Sequence, residues 1–459
     1  MVFVSDSFIF VFLPLFLLAY AIAPARFRNF TILVFSLIFY GWWRFDFLPL
    51  LVAIACWSWA TGLWIVRSDG GERQFALLAA ILAPIASLIW FKYANLLAES
   101  ALALGASAGH WTAIPLPIGL SFFVFGAISY SVDVFRKTVA AETSFVNYAT
   151  YQAMFGHLVA GPVVRYQSVA ERLSSRSFDL AEFTEGWRRF MLGFAQKVLL
   201  GDTLAPLVDA GYALPNPSTA DVALTAAAYT LHLYFDFAGY SSMAIGLGLM
   251  VGLKFPENFD NPYLSRSITE FWRRWHISLS SWLRDYIYIP LGGNRAGKAR
   301  SYFNLLLTMA LGGLWHGASW TFLVWGIWHG VGLMVARLWR AAGGPAIPSV
   351  AAHFLTLIFV MIGWLLFRAQ DWHVVQTMMT ALLGLNGLSL SSPMTAAARP
   401  VELLTLGVSL FVVYAPAMPE YPLRRYIDRP PFELALFLWL CALWTMQSRT
   451  VIPFLYFQF

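Results

Sequence analysis

Charge is scarce in this sequence. Lysine, arginine, aspartate and glutamate supply 12% of its 459 residues, against about 25% in a typical soluble domain. With 59% hydrophobic residues, that shortage excludes a water-soluble globular chain. It points to an all-α, polytopic membrane protein, read as one chain-long bundle over residues 1–459. Cysteine is nearly absent: Cys56 and Cys441 both sit in apolar runs, so a disulfide framework is excluded. The start, Met1-Val-Phe-Val-Ser-Asp6, has no basic stretch before its apolar run. Residues 8–23 are therefore predicted to form a first membrane span rather than a cleaved signal. There is no basic tract with interleaved aromatics. The net charge of +6 is read as loop lysines and arginines that orient helices, and nucleic acid is excluded as a partner.

Several catalytic signatures are missing as well. No His-x-x-x-His or Cys-x-x-Cys spacing occurs, and no acidic residue adjoins His316 or His353, so no metal site is expected. Nucleophilic serine chemistry is not expected. No self-similar period supports a repeat-built transporter.

What remains is a series of apolar runs, several too short for a bilayer of about 30 Å. Roughly ten to thirteen true spans are predicted, with the shorter runs re-entrant or interfacial. The 20 Trp and 19 Tyr fit many membrane–water interfaces. Arg26 and Arg28 follow the first span, and Arg67, Asp69, Glu72 and Arg73 follow the third. The positive-inside rule then sets the N-terminus outside and these loops in the cytoplasm.

Residues 254–300 depart from the apolar pattern. Ser267 and Glu270 have capping-box spacing, which predicts a helix start. Phe271, Trp275, Leu279, Trp282 and Tyr286 recur on one face, with Arg273, Arg274, Ser278, Ser281, Arg284 and Asp285 mainly on the other. An amphipathic helix ending by Pro290 is predicted. It reads either as an interfacial helix on anionic lipid or as the wall of a cytoplasmic cavity whose arginines meet a phosphorylated donor.

The chain has eight histidines: His110, His157, His232, His276, His316, His329, His353 and His373. Ionisable groups at membrane depth are expensive and tend to be functional, and imidazole exchanges protons near neutrality. His316 lies in Leu311-Gly-Gly-Leu-Trp-His316-Gly317. On one unbroken helix His316 and His329 point apart, so they share a site only if the chain breaks, at Gly317 or Gly326. His353 opens the next apolar run. Asp236, in Tyr234-Phe-Asp236-Phe-Ala-Gly-Tyr240, reads either as a carboxylate paired with an arginine or as a partner that orients a catalytic group. Asp133, Lys197 and Glu270 invite the same two readings.

Together these pieces resemble the membrane-bound O-acyltransferase family, in particular its bacterial polysaccharide branch, which includes alginate acetylation. The resembling motifs are Pro117-Ile-Gly-Leu-Ser121, Tyr130-Ser-Val-Asp133, His157-Leu-Val-Ala-Gly161-Pro162, Tyr234-Phe-Asp236, Ile268-Thr-Glu270-Phe-Trp-Arg-Arg-Trp-His276 and Trp315-His316-Gly317. They fall in a motif-bearing core over 110–370; Met1-Val-Phe with Phe12-Leu-Pro14 resembles the same branch. The resemblance implies a ring of tilted helices, with re-entrant and interfacial helices, around a thin centre. It implies acyl transfer from a thioester, with acetyl-CoA as donor and no bound cofactor, in the bacterial inner membrane. It also implies a separate periplasmic O-acetyltransferase that esterifies the exported polysaccharide.

By the same resemblance His316 and His353 are the catalytic pair. His353 is assigned as base and His316 as orienting or stabilising group, with the roles exchangeable, so alanine at either position is predicted to abolish acetylation. From charge alone, Arg273, Arg274 and Arg284 are assigned to the donor phosphates; Asp236, Glu270, His276 and His329 are taken as supporting residues. The competing readings are a polysaccharide-precursor transporter or flippase, a structural subunit that recruits a periplasmic enzyme, and D-alanyl transfer to teichoic acid.

Overall fold

The computed structural model describes residues 1–105, 111–295, 297–418, 430–449 and 454–455; His110 lies outside the described residues. Among these, the regular structure is entirely helical. In chain order the principal helices are α1 (Ser7–Ile22), α2 (Phe45–Arg67), α3 (Gly70–Ala103), α4 (Leu120–Phe135) and α5 (Leu180–Tyr212). There follow α6 (Thr219–Met250), α7 (Ile268–Arg274), α8 (Ile277–Leu283) and α9 (Lys298–His316). The last are α10 (Trp320–Ala341), α11 (Ser349–Arg368), α12 (Pro400–Ala417) and α13 (Phe432–Gln447).

Six of these, α2, α3, α5, α10, α11 and α12, are long and apolar enough to cross a bilayer. The chain is thus a multi-span, all-α membrane protein. The six are fewer than the roughly ten to thirteen spans predicted from apolar runs. Helices α1, α4 and α13 are apolar but short; the 16 residues of α4 reach only about 24 Å at 1.5 Å per residue. Helix α6 buries Asp221, Thr225, Thr230, His232 and Asp236, and polar groups turned toward protein lower its apolar character.

Contacts divide the chain into two units. The first comprises Met1–Phe190 with Ser241–Pro256. Its core is a phenylalanine cluster: the Phe155 ring stands edge-on to Phe12 and Phe16, with centroids 5.2 and 5.0 Å away, the geometry that aromatic quadrupoles favour. Helices α2 and α4 approach closely, because Gly62 leaves space that the Tyr130 ring fills; a Cβ there would lie 2.6 Å from that ring.

The second unit comprises Met191–Tyr240 with Glu257–Phe459 and holds every candidate site residue named above. Helices α9 and α10 form an antiparallel hairpin. The chain breaks at Gly317, which is extended (φ −153°, ψ 147°), and α10 restarts with Ser319 Oγ accepting the Thr321 N–H at 3.1 Å. Glycines let the two backbones touch. A Cβ on Gly313 would meet the Phe322 carbonyl oxygen at 2.2 Å, and one on Gly326 the Met309 carbonyl oxygen at 2.3 Å. Gly326 therefore serves packing, and Gly317 alone supplies the break.

The single amphipathic helix predicted from Ser267 to Pro290 is corrected to two short helices. Its start holds: Ser267 Oγ accepts the Glu270 N–H at 3.1 Å, and Glu270 Oε2 accepts the Arg266 N–H at 2.9 Å. The helix then stops at Trp275, and His276 is left-handed (φ 43°, ψ 52°), a conformation worth about 1–3 kcal/mol of strain in a non-glycine residue. Hydrogen bonds to the preceding segment offset it. The Asp260 N–H donates to the Arg274 carbonyl (3.0 Å), and the Ile277 N–H donates to the Asn258 carbonyl (2.9 Å). The predicted apolar face is otherwise buried at Phe271, Trp275, Leu279 and Trp282.

Gly326→Leu is expected to lower the thermal unfolding temperature of the detergent-purified protein, since overpacking costs about 1–3 kcal/mol. Gly407→Leu, at a position with open space around it, is expected to leave that temperature unchanged; fluorescence-detected size exclusion after heating reads both.

Candidate active site

The α9–α10 break gathers three of the predicted histidines. His316 ends α9, and its ring lies 5.0 Å from that of Trp325 on α10. Trp325 in turn lies 4.9 Å from His329, one turn further along. The left-handed turn at residue 276 brings in the third, with the His276 ring 6.2 Å from that of His316. All three are buried, at 6%, 0% and 0% exposure for His316, His276 and His329. Trp315, Trp364, Phe271 and Phe367 complete an aromatic surround.

Asn258, itself buried, sets the chemistry of His276. Its Oδ1 accepts from the Ser278 Oγ–H at 2.7 Å and from the Ser278 N–H at 3.4 Å. A backbone N–H only donates, so this atom is the amide oxygen and the His276 Nδ1 beside it at 3.0 Å carries a proton. In the neutral ring Nε2 is then a bare lone pair, and among the described residues it has no hydrogen-bond partner. Burial pushes His276 down to about 3, so the ring is neutral at physiological pH. Among the described residues His329 likewise has no hydrogen-bond partner at either ring nitrogen.

His353 is elsewhere. It lies in the first turn of α11, whereas Phe367, the α11 residue whose ring touches His316 at 5.2 Å, is about four turns and roughly 21 Å further along at 1.5 Å per residue. The structure does not bring His316 and His353 into one cluster: His353 lies near one end of α11, and the His316 contact lies near the other. His353 Nδ1 donates to the Ser265 carbonyl (3.2 Å), which leaves Nε2 to accept the Tyr414 O–H (2.9 Å). Its lone pair is engaged rather than free. His353 and Tyr414 line a polar cavity of about 730 Å³ together with Arg266, Glu270, Arg274 and Asn261. Of the three arginines assigned to a donor, Arg274 alone lines this cavity, held by Glu270 (3.1 Å) and Asp260 (3.4 Å). Arg284 pairs with Asp285 at 2.7 Å, and Arg273 is exposed.

The profile of the membrane-bound O-acyltransferase family matches residues 81–370, the stretch that contains the histidine cluster, Asn258, Arg266, Arg274 and His353. The chain belongs to the membrane-bound O-acyltransferase family. It is similar over nearly its whole length to bacterial members. A protein of Azotobacter vinelandii named "Probable alginate O-acetylase AlgI" is 45% identical over 94% of this chain and 86% of its own length. One of the same name from Pseudomonas putida is 42% identical across 100% of both chains. A "Peptidoglycan O-acetyltransferase" of Helicobacter pylori is 31% identical over 85% of this chain and 81% of its own. Family membership makes the chain an O-acyltransferase, and with its apolar helices it makes it a multi-pass protein of the bacterial inner membrane.

In this family member the Asp236 carboxylate is held by a lysine and a backbone N–H. Its Oδ1 accepts from Lys197 Nζ (2.7 Å) and its Oδ2 from the Leu455 N–H (3.1 Å). Lys197 also donates to Asp202 Oδ1 (2.7 Å), and a π-helical turn in α5 over Gln196–Gly201 carries it between the two carboxylates. The expected arginine partner is thus a lysine, in a buried ion triad that ties α5, α6 and the chain near residue 455 together. Glu270 caps α7 and holds Arg274. Asn258, Arg266, Tyr414, Trp325 and Phe367 were not among the predicted site residues. A signal existed only for Asn258, a polar residue just after Phe255-Pro256 in the segment that breaks the apolar pattern.

Lys197→Met is expected to destabilise the protein by about 3–5 kcal/mol, because it strands two buried carboxylates. Replacing Lys197, Asp202 and Asp236 together by Met, Asn and Asn is expected to recover part of that loss; unfolding temperatures in matched detergent compare them.

Proposed function

We propose that this chain takes an acetyl group from cytoplasmic acetyl-CoA and passes it across the inner membrane for O-acetylation of an exported polysaccharide. The observation that carries this reading is the buried cluster of His316, His276 and His329 inside the family-matched segment. In the proposed reaction His316 takes the proton of an acceptor hydroxyl, and the oxygen attacks the thioester carbonyl. The carbon–sulfur bond then breaks and the leaving thiolate recovers the proton. A positioned imidazole contributes about 10²–10⁴-fold to such a transfer. The reaction balances without a metal or an external acid.

The donor's charged end is assigned to the polar cavity, with Arg266 and Arg274 toward its phosphates. The charge pattern of the second unit supports this side. Arg295, Lys298 and Arg300 stand at the start of α9, and Arg337 and Arg340 at the end of α10; Arg337 donates to Ser301 Oγ at 2.7 Å, so these basic groups share one end. The positive-inside rule makes that end cytoplasmic. His353, also near it, lines the cavity rather than acting as the base. The roughly 21 Å between His353 and Phe367 along α11 is of the order spanned by the extended arm that joins a coenzyme's phosphates to its thioester, a run of about fourteen covalent bonds. The acceptor is read as a polysaccharide from the relatives named for alginate and peptidoglycan, reached through a periplasmic transferase.

Ester-linked acetate on the host's exported polysaccharide tests the reading, in a deletion strain carrying wild type or variants at matched membrane levels. His316→Ala is expected to fall to the level of the deletion with polymer yield intact. His353→Ala is expected to retain acetate and to raise the donor KM in membrane vesicles about 10-fold, as for one hydrogen bond of about 1.5 kcal/mol. Unchanged acetate with lost polymer in the deletion would replace the enzyme reading with an export function.

A further inference from the structure

The surroundings of His316 bear on which acyl groups the site accepts. Three rings stand around the imidazole: Trp315 at 5.0 Å, Trp325 at 5.0 Å and Phe367 at 5.2 Å between centroids, all at steep angles of 77–86°. Trp315 is the neighbour of His316 on α9. Trp325 and Phe367 come from α10 and α11, and at 5.1 Å from each other they leave no slot as wide as a methylene chain.

Both rings are braced from behind. Trp325 stacks on Trp364 (6.0 Å, 20°). Phe367 meets Phe322 edge-on (4.9 Å, 88°), and Phe322 is pressed against Gly317, where a Cβ would sit 2.2 Å from its ring. All of these rings are at most 6% exposed. Aromatic side chains have few rotamers, and a close-packed interior resists one more methylene. A ring braced in this way cannot swing aside for a longer chain.

We propose that Trp325 and Phe367 are the residues that limit the transferred group to acetyl. This rests on the assignment of His316 as the reacting histidine. The carbonyl carbon must come within reach of a hydroxyl held by His316, so the rest of the acyl chain extends toward these walls. Every methylene beyond the acetyl methyl would then press on a ring that its neighbours hold in place. Discrimination by a hydrophobic wall is roughly 10–200-fold per methylene.

The test uses inverted inner-membrane vesicles from the host, which keep the protein with its native partners. The host copy is deleted and replaced by wild type, Phe367→Ala, Trp325→Ala, or the milder Phe367→Leu and Trp325→Phe. Vesicles receive radiolabelled acetyl-CoA or butyryl-CoA, and ester-linked acyl groups are counted, with His316→Ala as the blank. The expected result is a butyryl-to-acetyl ratio at least tenfold above wild type in Phe367→Ala or Trp325→Ala. If an alanine variant loses all transfer, the milder one decides, with a smaller rise in the same direction. Variants that transfer acetyl at an unchanged ratio would overturn the proposal and leave the role of His316 standing. Wild-type vesicles whose acetyl transfer is no higher than the His316→Ala blank would remove that role and this proposal with it.

Discussion

The contact between α9 and α10 is the constraint on which the site depends. Gly313 and Gly326 let carbonyl oxygens of one helix lie where a side chain of the other would be. Helices in lipid gain no hydrophobic drive toward each other and rely on such close packing. The approach sets His316, Trp325 and His329 in one cluster of edge-on rings, although the two histidines would face apart on a single helix. The extended Gly317 completes the geometry, because a helix that continued through residue 317 would carry Trp325 away from His316.

A second device supplies the remaining histidine. The turn at His276 interrupts an otherwise regular amphipathic segment and aims an imidazole inward. Its strain is held by backbone bonds to Asn258 and Asp260 and by the side-chain amide of Asn258. That amide does two jobs: it closes the turn through Ser278 and fixes which ring nitrogen of His276 is bare. Local structure and chemistry are thus specified by the same residue. The neighbouring cluster keeps further unpaired polar atoms, among them both ring nitrogens of His329 and the indole nitrogen of Trp325. Buried polar atoms without partners are rare in folded proteins, and several of them gather around this one ring cluster.

The two ends of α11 divide the labour of the second unit. One end, beside the basic termini of α9 and α10, carries His353 in a polar cavity with Arg266 and Arg274. The other carries Phe367 against His316. One helix of 20 residues therefore links a polar cavity to a buried aromatic cluster. The separation suits chemistry in which a charged carrier stays outside and only a small uncharged group reaches the interior, since a charge is far more costly to bury than an acetyl group.

Composition and its long apolar runs alone determined that this chain spans a membrane with helices, because a continuous apolar segment in lipid satisfies its own backbone only as a helix. Motifs determined the family and singled out His316, since Trp-His-Gly and the Trp-Arg-Arg-Trp-His segment are local strings that survive without a structure. The sequence offered Gly317 or Gly326 for a break between His316 and His329, and the structure breaks at Gly317, where a side chain would collide with Phe322. Tertiary structure decided the rest. Apolar periodicity is blind to a left-handed turn held by a distant asparagine, so the amphipathic segment read as one helix. Sequence separation carries no information on which end of a helix faces which neighbour, so His353 read as the partner of His316. Pairing inside a low-dielectric core is set by whichever side chain arrives from another helix, so Asp236 read as a partner for arginine and met Lys197 instead.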